Sequence, residues 1–470
     1  MLRIATFLLL ASSCALADED RYRMTFLPGL ERAVVEACFS GSAPRALYRH
    51  REAARYTLSL RSVGGDRLPV GDRSRLRLPD LPADSCLEWE VDLAAAVARS
   101  DYRLAMKVDS SLLTNANLLF WRDGERRPLR IEVSLPAGHS ISAPWAEVDK
   151  GNEAVVEAPE RRIFRPASTP ASWSSRIAVG RFPIQRLEVP GSEIRLAAIG
   201  DLSTRQRAKF ARWILQTGKS VASVYGRFPQ GNPQVLIVPI GARNEPAPWA
   251  RVVRGGGVAA EFYVDETRPL REFLDDWTAS HEFSHFLLPY VSYDHRWLSE
   301  GLASYYQNVL RARDGRLSER EAWQKIRSGL QRGRDATGGG SLASAVRSGR
   351  AATMRVYWSG AAMMLKADAR LRAITGGRHS LDTALAGLQE CCLEPAGRWE
   401  ARELFSELDR ITDTHVFREL YDAHVHDEAF PDLSETWRRL GLESSRDSLD
   451  PDAPWGHIRR DIMRGAAAGG

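Results

Sequence analysis

The sequence predicts an α+β fold, in which an N-terminal β-sandwich-like domain is followed by a mostly helical domain. Short runs rich in β-branched, aromatic and leucine residues, separated by Gly, Pro and Asp, fill residues 20 to about 190. After residue 269, apolar residues recur at helical spacing almost to the end of the chain. The 470 residues, 44% of them hydrophobic and 27% charged, suffice for two or three domains with their own cores.

The N-terminal domain is predicted to span residues 18–190. Its expected strands are YTLSLRSV, SRLRLPDL, CLEWEVDL, LLFWRD and LRIEVSLP. One helix is expected near LERAVVEAC. Residues 150–176 contain three prolines among Ser, Thr and Ala, which indicates a long surface loop or connector.

The second domain is predicted to span residues 195–443, with 444–470 as a frayed C-terminal tail. LSTRQRAKFARWILQTGKSVASVYG has helical periodicity, with Ser203 or Thr204 as its cap. PQVLIVPIG and GGGVAAEFYVDE are the expected strands. The expected later helices lie around 270–289, 299–313, 318–332, 353–374, 380–390, 400–410 and 414–426.

The first 17 residues have the pattern of a secretory signal. Arg3 precedes the apolar stretch IATFLLLASSCALA, which ends in a small-x-small cleavage pattern before polar DEDR. We therefore expect an exported protein, periplasmic or secreted. A buried N-terminal helix and a lipoprotein anchored through Cys14 are the alternatives. No other apolar run reaches transmembrane length, so no stable membrane span is expected.

The net charge of +5 is spread without a long basic run, which argues against nucleic-acid binding.

Four cysteines remain after the signal and allow three pairings. Cys38 with Cys86 is the favoured pair, because both lie in the N-terminal half and export permits disulfides. The adjacent Cys391 and Cys392 are expected to be free thiols. Since no C-x-x-C pair exists, a zinc site made of thiolates is not expected.

The motif His281-Glu282-Phe283-Ser284-His285 carries the main chemical signal. Histidines four residues apart share one face of a helix, so both imidazoles can reach one metal ion. Glu282 lies beside them and can take a proton from a metal-bound water. The alternative is two hydrogen-bonded histidines on a buried helix without any metal.

A catalytic zinc site needs a third protein ligand and an open position. After His285 the chain passes Pro289 and a polar turn, then enters WLSEGLA. That order suits two antiparallel helices, and we expect Glu300 on the second to face the first. His295 in the turn is the competing third ligand.

H-E-x-x-H followed by W-L-S-E-G-L-A-S-Y-Y resembles the gluzincin metallopeptidases. Within them it is similar to the aminopeptidase N family and, more closely, to the glycyl aminopeptidase family. The resemblance covers residues 200–470 and implies a thermolysin-like domain with one Zn²⁺ held by His281, His285 and Glu300. It also implies that Tyr357, in V-Y-W-S-G-A at 356–361, stabilises the tetrahedral intermediate.

The sequence departs from those families in three places. The segment between His285 and Glu300 is shorter, the frequent C-terminal PDZ domain is absent, and the aminopeptidase N signature Gly-Ala-Met-Glu-Asn is missing. Glu261 in GGGVAAEF lies in roughly the expected place and is our candidate for holding a substrate amino group. An ordinary strand residue is the alternative for Glu261.

The working hypothesis is an exported zinc metallopeptidase that hydrolyses peptide or protein substrates with Glu282 as general base. An aminopeptidase is favoured. The alternatives are a zinc endopeptidase of the same fold and a non-catalytic exported zinc-binding scaffold or lipoprotein. The sequence does not indicate an oligomeric state.

Overall fold

The computed structural model describes residues 19–99, 103–148, 160–166, 169–170, 172–336, 340–393, 398–442 and 449–465. Its elements include both sheets and helices, which confirms the α+β class. The predicted signal sequence with Cys14 lies outside the described residues, as does much of the predicted loop. None of the described helices combines the length and the apolar character needed to cross a bilayer.

The described chain divides into two compact units. The first holds the described residues up to Lys107 together with Leu112–Val179 and Gly255–Gly257. Its elements are β1 (Asp20–Phe26), β2 (Arg32–Cys38), β3 (Ala46–Tyr48), α1 (Ala53–Tyr56), β4 (Thr57–Ser62), β5 (Arg75–Arg77), β6 (Cys86–Asp92), α2 (Leu93–Ala98), β7 (Ala105–Val108), β8 (Ser111–Asn115), β9 (Leu129–Ser134), β10 (Ser140–Ser142), β11 (Arg161–Phe164) and β12 (Arg176–Gly180).

The described residues of this unit form three sheets. The largest has the order β11-β9-β1-β2-β6-β4, a second has β10-β12-β8-β7, and β3 pairs with β5. Alternate residues of the strands enter the core, as Tyr22, Met24 and Phe26 of β1 do. In the β2–β6 register Cys38 lies opposite Cys86. Their disulfide confirms the predicted pair.

Two local predictions for this unit are wrong. LERAVVEAC forms the strand β2 and not a helix, because its buried residues Ala33, Val35 and Ala37 alternate with more exposed ones. LLFWRD is not a strand. Its first residue is the last residue of a 3₁₀ turn at Ala116–Leu118, and four consecutive side chains from Leu118 to Trp121 are buried, without the alternation of a half-buried strand.

The second unit holds Val108–Ser111, Gly180–Arg254 and the described residues from Val258 onward. Its elements are β13 (Ile184–Val189), β14 (Ser192–Ala198), α3 (Thr204–Ala222), β15 (Gln234–Pro239), β16 (Trp249–Val253), β17 (Ala259–Val264), α4 (Leu270–Asp275), α5 (Thr278–Ser284), α6 (Arg296–Arg313), α7 (Glu319–Asp335), α8 (Leu342–Ala345), α9 (Thr353–Thr375), α10 (Leu381–Cys392), α11 (Ala401–Thr412), α12 (Val416–His424), α13 (Ser434–Leu440) and α14 (Gly456–Arg464).

A five-stranded sheet of order β13-β14-β15-β17-β16 belongs to this unit. β14, β15 and β17 run parallel, whereas β16 is an antiparallel edge strand. α3 begins at Ser203, whose hydroxyl accepts the N–H of Gln206, as one of the two predicted caps requires. The sheet and the helices share one apolar core.

The helix predicted around 270–289 is interrupted. The backbone of Asp276 is extended, and its carboxylate accepts the N–H of Thr278 at the start of α5. α4 and α5 are therefore separate, and a 3₁₀ turn at His285–Leu287 follows α5. The polar side chain of Asp276 supplies the break, because it competes with the helical backbone for the same N–H group.

The C-terminal end is more ordered than predicted, because 444–470 is not entirely a frayed tail. α14 buries Ile458, Ile462 and Met463 in the core of the second unit. Arg459 donates to the carbonyl of Leu440 and pairs with Glu319. These apolar and ionic contacts hold the segment.

The expectation of free thiols at Cys391 and Cys392 is also wrong, because the two form a disulfide with each other. They occupy the last two positions of α10. The last backbone carbonyls of a helix have no hydrogen-bond partner in a following turn. The backbone is therefore less constrained at the end of α10, where the two neighbouring cysteines are joined.

Candidate metal centre

Two histidines of the H-E-x-x-H motif meet at the end of α5. His281 lies in α5, and His285 opens the 3₁₀ turn that follows. The ring centroids are 4.9 Å apart and the ring planes are perpendicular. The side chain of His281 is almost wholly buried. The helical spacing therefore places both imidazoles at one point, as the motif predicts.

Glu300 of α6 reaches the same point. Its Oε2 lies 3.2 Å from His281 Nε2 and 3.6 Å from His285 Nε2. One donor atom from each of the three residues lies within 4.8 Å of the others. The competing residue His295 is engaged elsewhere, because its Nε2 lies 2.5 Å from Glu400 Oε2.

The opposite nitrogen of each imidazole has a partner in α6. His281 Nδ1 is 2.8 Å from Gln307 Oε1, and His285 Nδ1 is 2.8 Å from Ser299 Oγ. Such partners fix the orientation of the rings and turn each Nε2 toward the common point. Neither residue was predicted from the sequence. The available signal was position, since Ser299 precedes Glu300 and Gln307 follows it by two helical turns.

Burial and neighbouring charges shift the pKa values at this centre. Burial raises the pKa of the Glu282 carboxyl to about 7. The charge of His281 and the N–H of Val252, which donates to the carboxylate, act in the opposite direction and lower the pKa. Burial lowers the pKa of His285 to about 4, so its ring is neutral at pH 7. For Glu300, burial is outweighed by the two imidazoles, and its pKa is lowered. The neutral imidazole of His285 beside the ionised carboxylate of Glu300 is the state in which these two residues can bind a metal.

Tyr357 of α9 completes the centre. Its ring is parallel to that of His281, with centroids 5.8 Å apart, and its hydroxyl donates to the Glu300 carboxylate. Burial raises the pKa of Tyr357, and the charge of Glu300 raises it further. The phenol therefore stays protonated and can donate a hydrogen bond at neutral pH.

Two glycines allow α6 and α9 to approach closely enough for this contact. A Cβ on Gly301 would lie 2.4 Å from Gly360 Cα, and a Cβ on Gly360 would lie 2.1 Å from the carbonyl oxygen of Trp297. Gly301 follows Glu300 directly, and Gly360 is three residues after Tyr357. The glycine contact therefore sets the separation of the two functional side chains.

Glu261 lies in β17 and is fully buried. Arg251 of β16 binds both of its carboxylate oxygens, at 3.0 Å each. The hydroxyl of Tyr263 lies 3.3 Å from Glu261 Oε2. Arg251 and Tyr263 thus engage the Glu261 carboxylate, which is the placement that the alternative of an ordinary strand residue describes.

Solved structures resemble the chain along most of its length. An aminopeptidase N family protein from Idiomarina loihiensis aligns with a TM-score of 0.67 at 14% identity, over 90% of this chain and 78% of that one. An M1 zinc metallopeptidase from Deinococcus radiodurans gives 0.56 at 12%, over 89% and 94%. The chain has the fold of these metallopeptidases. At the level of the fold, the resemblance to the aminopeptidase N family is confirmed.

A variant of the Deinococcus radiodurans enzyme, solved with a bound Tyr-Ser-Ala substrate, aligns with a TM-score of 0.57 at 11% identity, over 89% of this chain and 95% of that chain. No family model matches the sequence, and no curated protein matches it. Likeness at such low identity extends to the fold, so the chemistry must be argued from the side chains themselves.

Proposed function

We propose that the protein is a zinc-dependent metallopeptidase. The observation that carries the proposal is the convergence of His281 Nε2, His285 Nε2 and the Glu300 carboxylate, with the remaining imidazole nitrogens held by Gln307 and Ser299. Two imidazoles and one carboxylate are a known ligand set for catalytic zinc. Three protein ligands leave a coordination position open, as hydrolytic sites require.

The side chains around the centre supply the steps of peptide hydrolysis. Zinc, when bound, acts as a Lewis acid that makes water more acidic and polarises a carbonyl group. Glu282, with a pKa near neutrality, accepts the proton of the attacking water and returns it to the leaving amine. The protonated hydroxyl of Tyr357 donates a hydrogen bond to the oxyanion that forms on the substrate.

A non-catalytic zinc scaffold would not need these two groups. Burying an ionisable carboxyl such as Glu282 beside the ligands costs stability, and it adds nothing to a site that only holds a metal. Such unfavourable burial of a titratable group in a site is typical of catalytic residues.

Export is proposed as well, and the Cys38–Cys86 disulfide supports it because disulfides persist in oxidising compartments. Mass spectrometry of the mature N-terminus tests this.

Metal analysis and peptide cleavage together test the proposed function. The purified protein is expected to hold one zinc per chain and to hydrolyse peptides, with activity lost to a chelator and restored by zinc. His281→Ala should lose zinc and activity together. His295→Ala is the matched control and should keep both, because His295 pairs with Glu400. Zinc retained at full stoichiometry in His281→Ala would contradict the site.

Tyr357→Phe is expected to lower kcat by about 100-fold, the usual effect of removing one oxyanion donor. KM and zinc content should change little, because the ring still packs on His281 and the three ligands remain. Steady-state kinetics on the zinc-loaded variant measure the effect. The control is Tyr293→Phe, whose hydroxyl belongs to an exposed side chain. An unchanged kcat in Tyr357→Phe would remove this residue from the mechanism.

A further inference from the structure

The edge strand β16 lies beside the proposed general base, because the N–H of Val252 donates to the Glu282 carboxylate. Two arginines flank this contact along the chain. Arg251 is neutralised by Glu261 on the neighbouring strand. Arg254, the residue directly after β16, has a different environment.

Arg254 places its guanidinium against the turn that carries His285. Its Nη2 donates to the backbone carbonyl of His285. Its Nε is buried and has no hydrogen-bond partner. Within the described part of the chain, no carboxylate lies within ion-pair distance of Arg254. Burial lowers the pKa of Arg254 to about 10, so the group is still a cation at neutral pH.

A buried cation without a counter-ion is unfavourable unless a ligand supplies the charge. The ionisable groups that interact with Arg254 are the phenols of Tyr225 and Tyr290 and the imidazole of His285. The Tyr225 hydroxyl is itself buried without a partner. Tyr290 is 47% exposed, so solvent reaches this neighbourhood. A half-buried guanidinium and an unpartnered phenol, next to the exposed Tyr290, are the elements of a carboxylate-binding site.

The carboxylates that the structure describes at the centre are already engaged. Of the carboxylates placed at or near the centre, Glu300 contacts both imidazoles, Glu282 is the proposed base, and Glu261 is bound by Arg251. A free α-amine close to Arg254 would also meet a like charge.

We propose, on the basis of the proposed peptidase function, that Arg254 binds a carboxylate of the peptide substrate and that cleavage does not require a free amino terminus. The carboxylate is either the C-terminal one or an acidic side chain, because both present the same two oxygens to a guanidinium. The protein is then a peptidase that reads an anionic group, and not an aminopeptidase.

Matched peptides distinguish these cases. One core sequence is made with a free or acetylated N-terminus, with a C-terminal acid or amide, and with Glu or Gln at each position in turn. We expect acetylation to leave kcat/KM unchanged, and removal of the recognised carboxylate to lower it about 10- to 100-fold, as for loss of a charge-assisted hydrogen bond. The acid and amide arms identify a C-terminal source, and the Glu and Gln arms identify a side chain.

Variants assign the effect to Arg254. Arg254→Gln should lower kcat/KM more for the carboxylate peptide than for its uncharged counterpart, so that the preference is lost, and Arg254→Lys should restore part of the preference. Arg311→Gln is the matched control, because Arg311 also donates to a backbone carbonyl and has a buried Nε without a partner. Calorimetry of the same peptides on the Glu282→Gln protein measures binding without turnover.

Each outcome bears on one claim. If wild-type protein with zinc cleaves none of the peptides, the proposed function itself fails. If it cleaves them but acetylation abolishes cleavage, or acid and uncharged peptides react alike, only the inference about Arg254 is overturned. Equal losses on charged and uncharged peptides in Arg254→Gln would assign the residue a purely structural role and overturn the inference as well.

Discussion

Replacing Glu282 with Gln is expected to lower kcat by about 1,000-fold while zinc remains bound. The amide has nearly the same shape and still fills the buried position, but it cannot accept a proton at neutral pH. Loss of a positioned general base typically costs 10²- to 10⁴-fold, about the range expected here. Steady-state kinetics and metal analysis on the same preparation measure both quantities.

Unfolding is not expected to explain this loss. The pKa of Glu282 is raised to about 7 in the metal-free fold, above its ordinary value of 4.5. The contribution of this carboxyl to the free energy of unfolding is therefore lost as pH rises from 4.5 through 7. The Gln variant has no such loss. At pH 8 the metal-free variant should be at least as stable as wild type. Glu419→Gln on the exposed surface is the activity control. Retention of a tenth of wild-type activity by Glu282→Gln would exclude this general base.

The centre was predictable from the sequence where the local spacing determines the geometry. His281, Glu282 and His285 are joined by one helical turn, so their relation follows from the backbone alone. The placement of Glu300 depended on a turn between two helices and on the resemblance to known metallopeptidases, and the structure brings it to the histidines. Ser203 likewise begins α3 through a contact three residues away.

Features that depend on contacts between distant segments were missed. β16 and its Val252 contact to Glu282 depend on pairing with β17, and WARVV alone carries no strand alternation strong enough to predict it. The partners of the histidines, Gln307 and Ser299, become recognisable only when α6 faces α5. Glu261 was a candidate for holding a substrate amino group, with an ordinary strand residue as the alternative, and nothing local in the sequence shows that Arg251 lies opposite it.

The helix predicted for LERAVVEAC was wrong for a different reason. Ala, Leu, Arg and Glu favour helices when considered one by one, but the propensity of a residue is weaker than the burial of a periodic face. In β2 the buried positions are Ala33, Val35 and Ala37, a period of two that only a strand can place on one side. Tertiary burial thus overrode the local preference.

Gly360→Ala is expected to destabilise the protein, in the direction opposite to the usual rule. Within an exposed helix, replacing Gly by Ala stabilises by about 1 kcal/mol. In α9 the added Cβ would lie 2.1 Å from the Trp297 carbonyl oxygen and 2.8 Å from Gly301 Cα. Both obstacles are backbone atoms of α6, so no side chain can rotate away. Overpacking costs about 1–3 kcal/mol or more, which exceeds the gain in helix propensity.

Gly360→Ala should also lower kcat, and this is expected to be the larger of its two effects. To admit the Cβ, α9 must move away from α6, and this separates Tyr357 from Glu300. Zinc binding should persist, because all three ligands lie on α5, the turn after it and α6, whereas kcat should fall toward that of Tyr357→Phe. Urea unfolding and kinetics measure the two effects, with Gly231→Ala as control because nothing lies within 4 Å of its added Cβ. A Gly360→Ala protein as stable and as active as wild type would mean that the two helices do not meet at these glycines, and the hydroxyl of Tyr357 would then have no fixed position beside the ligands.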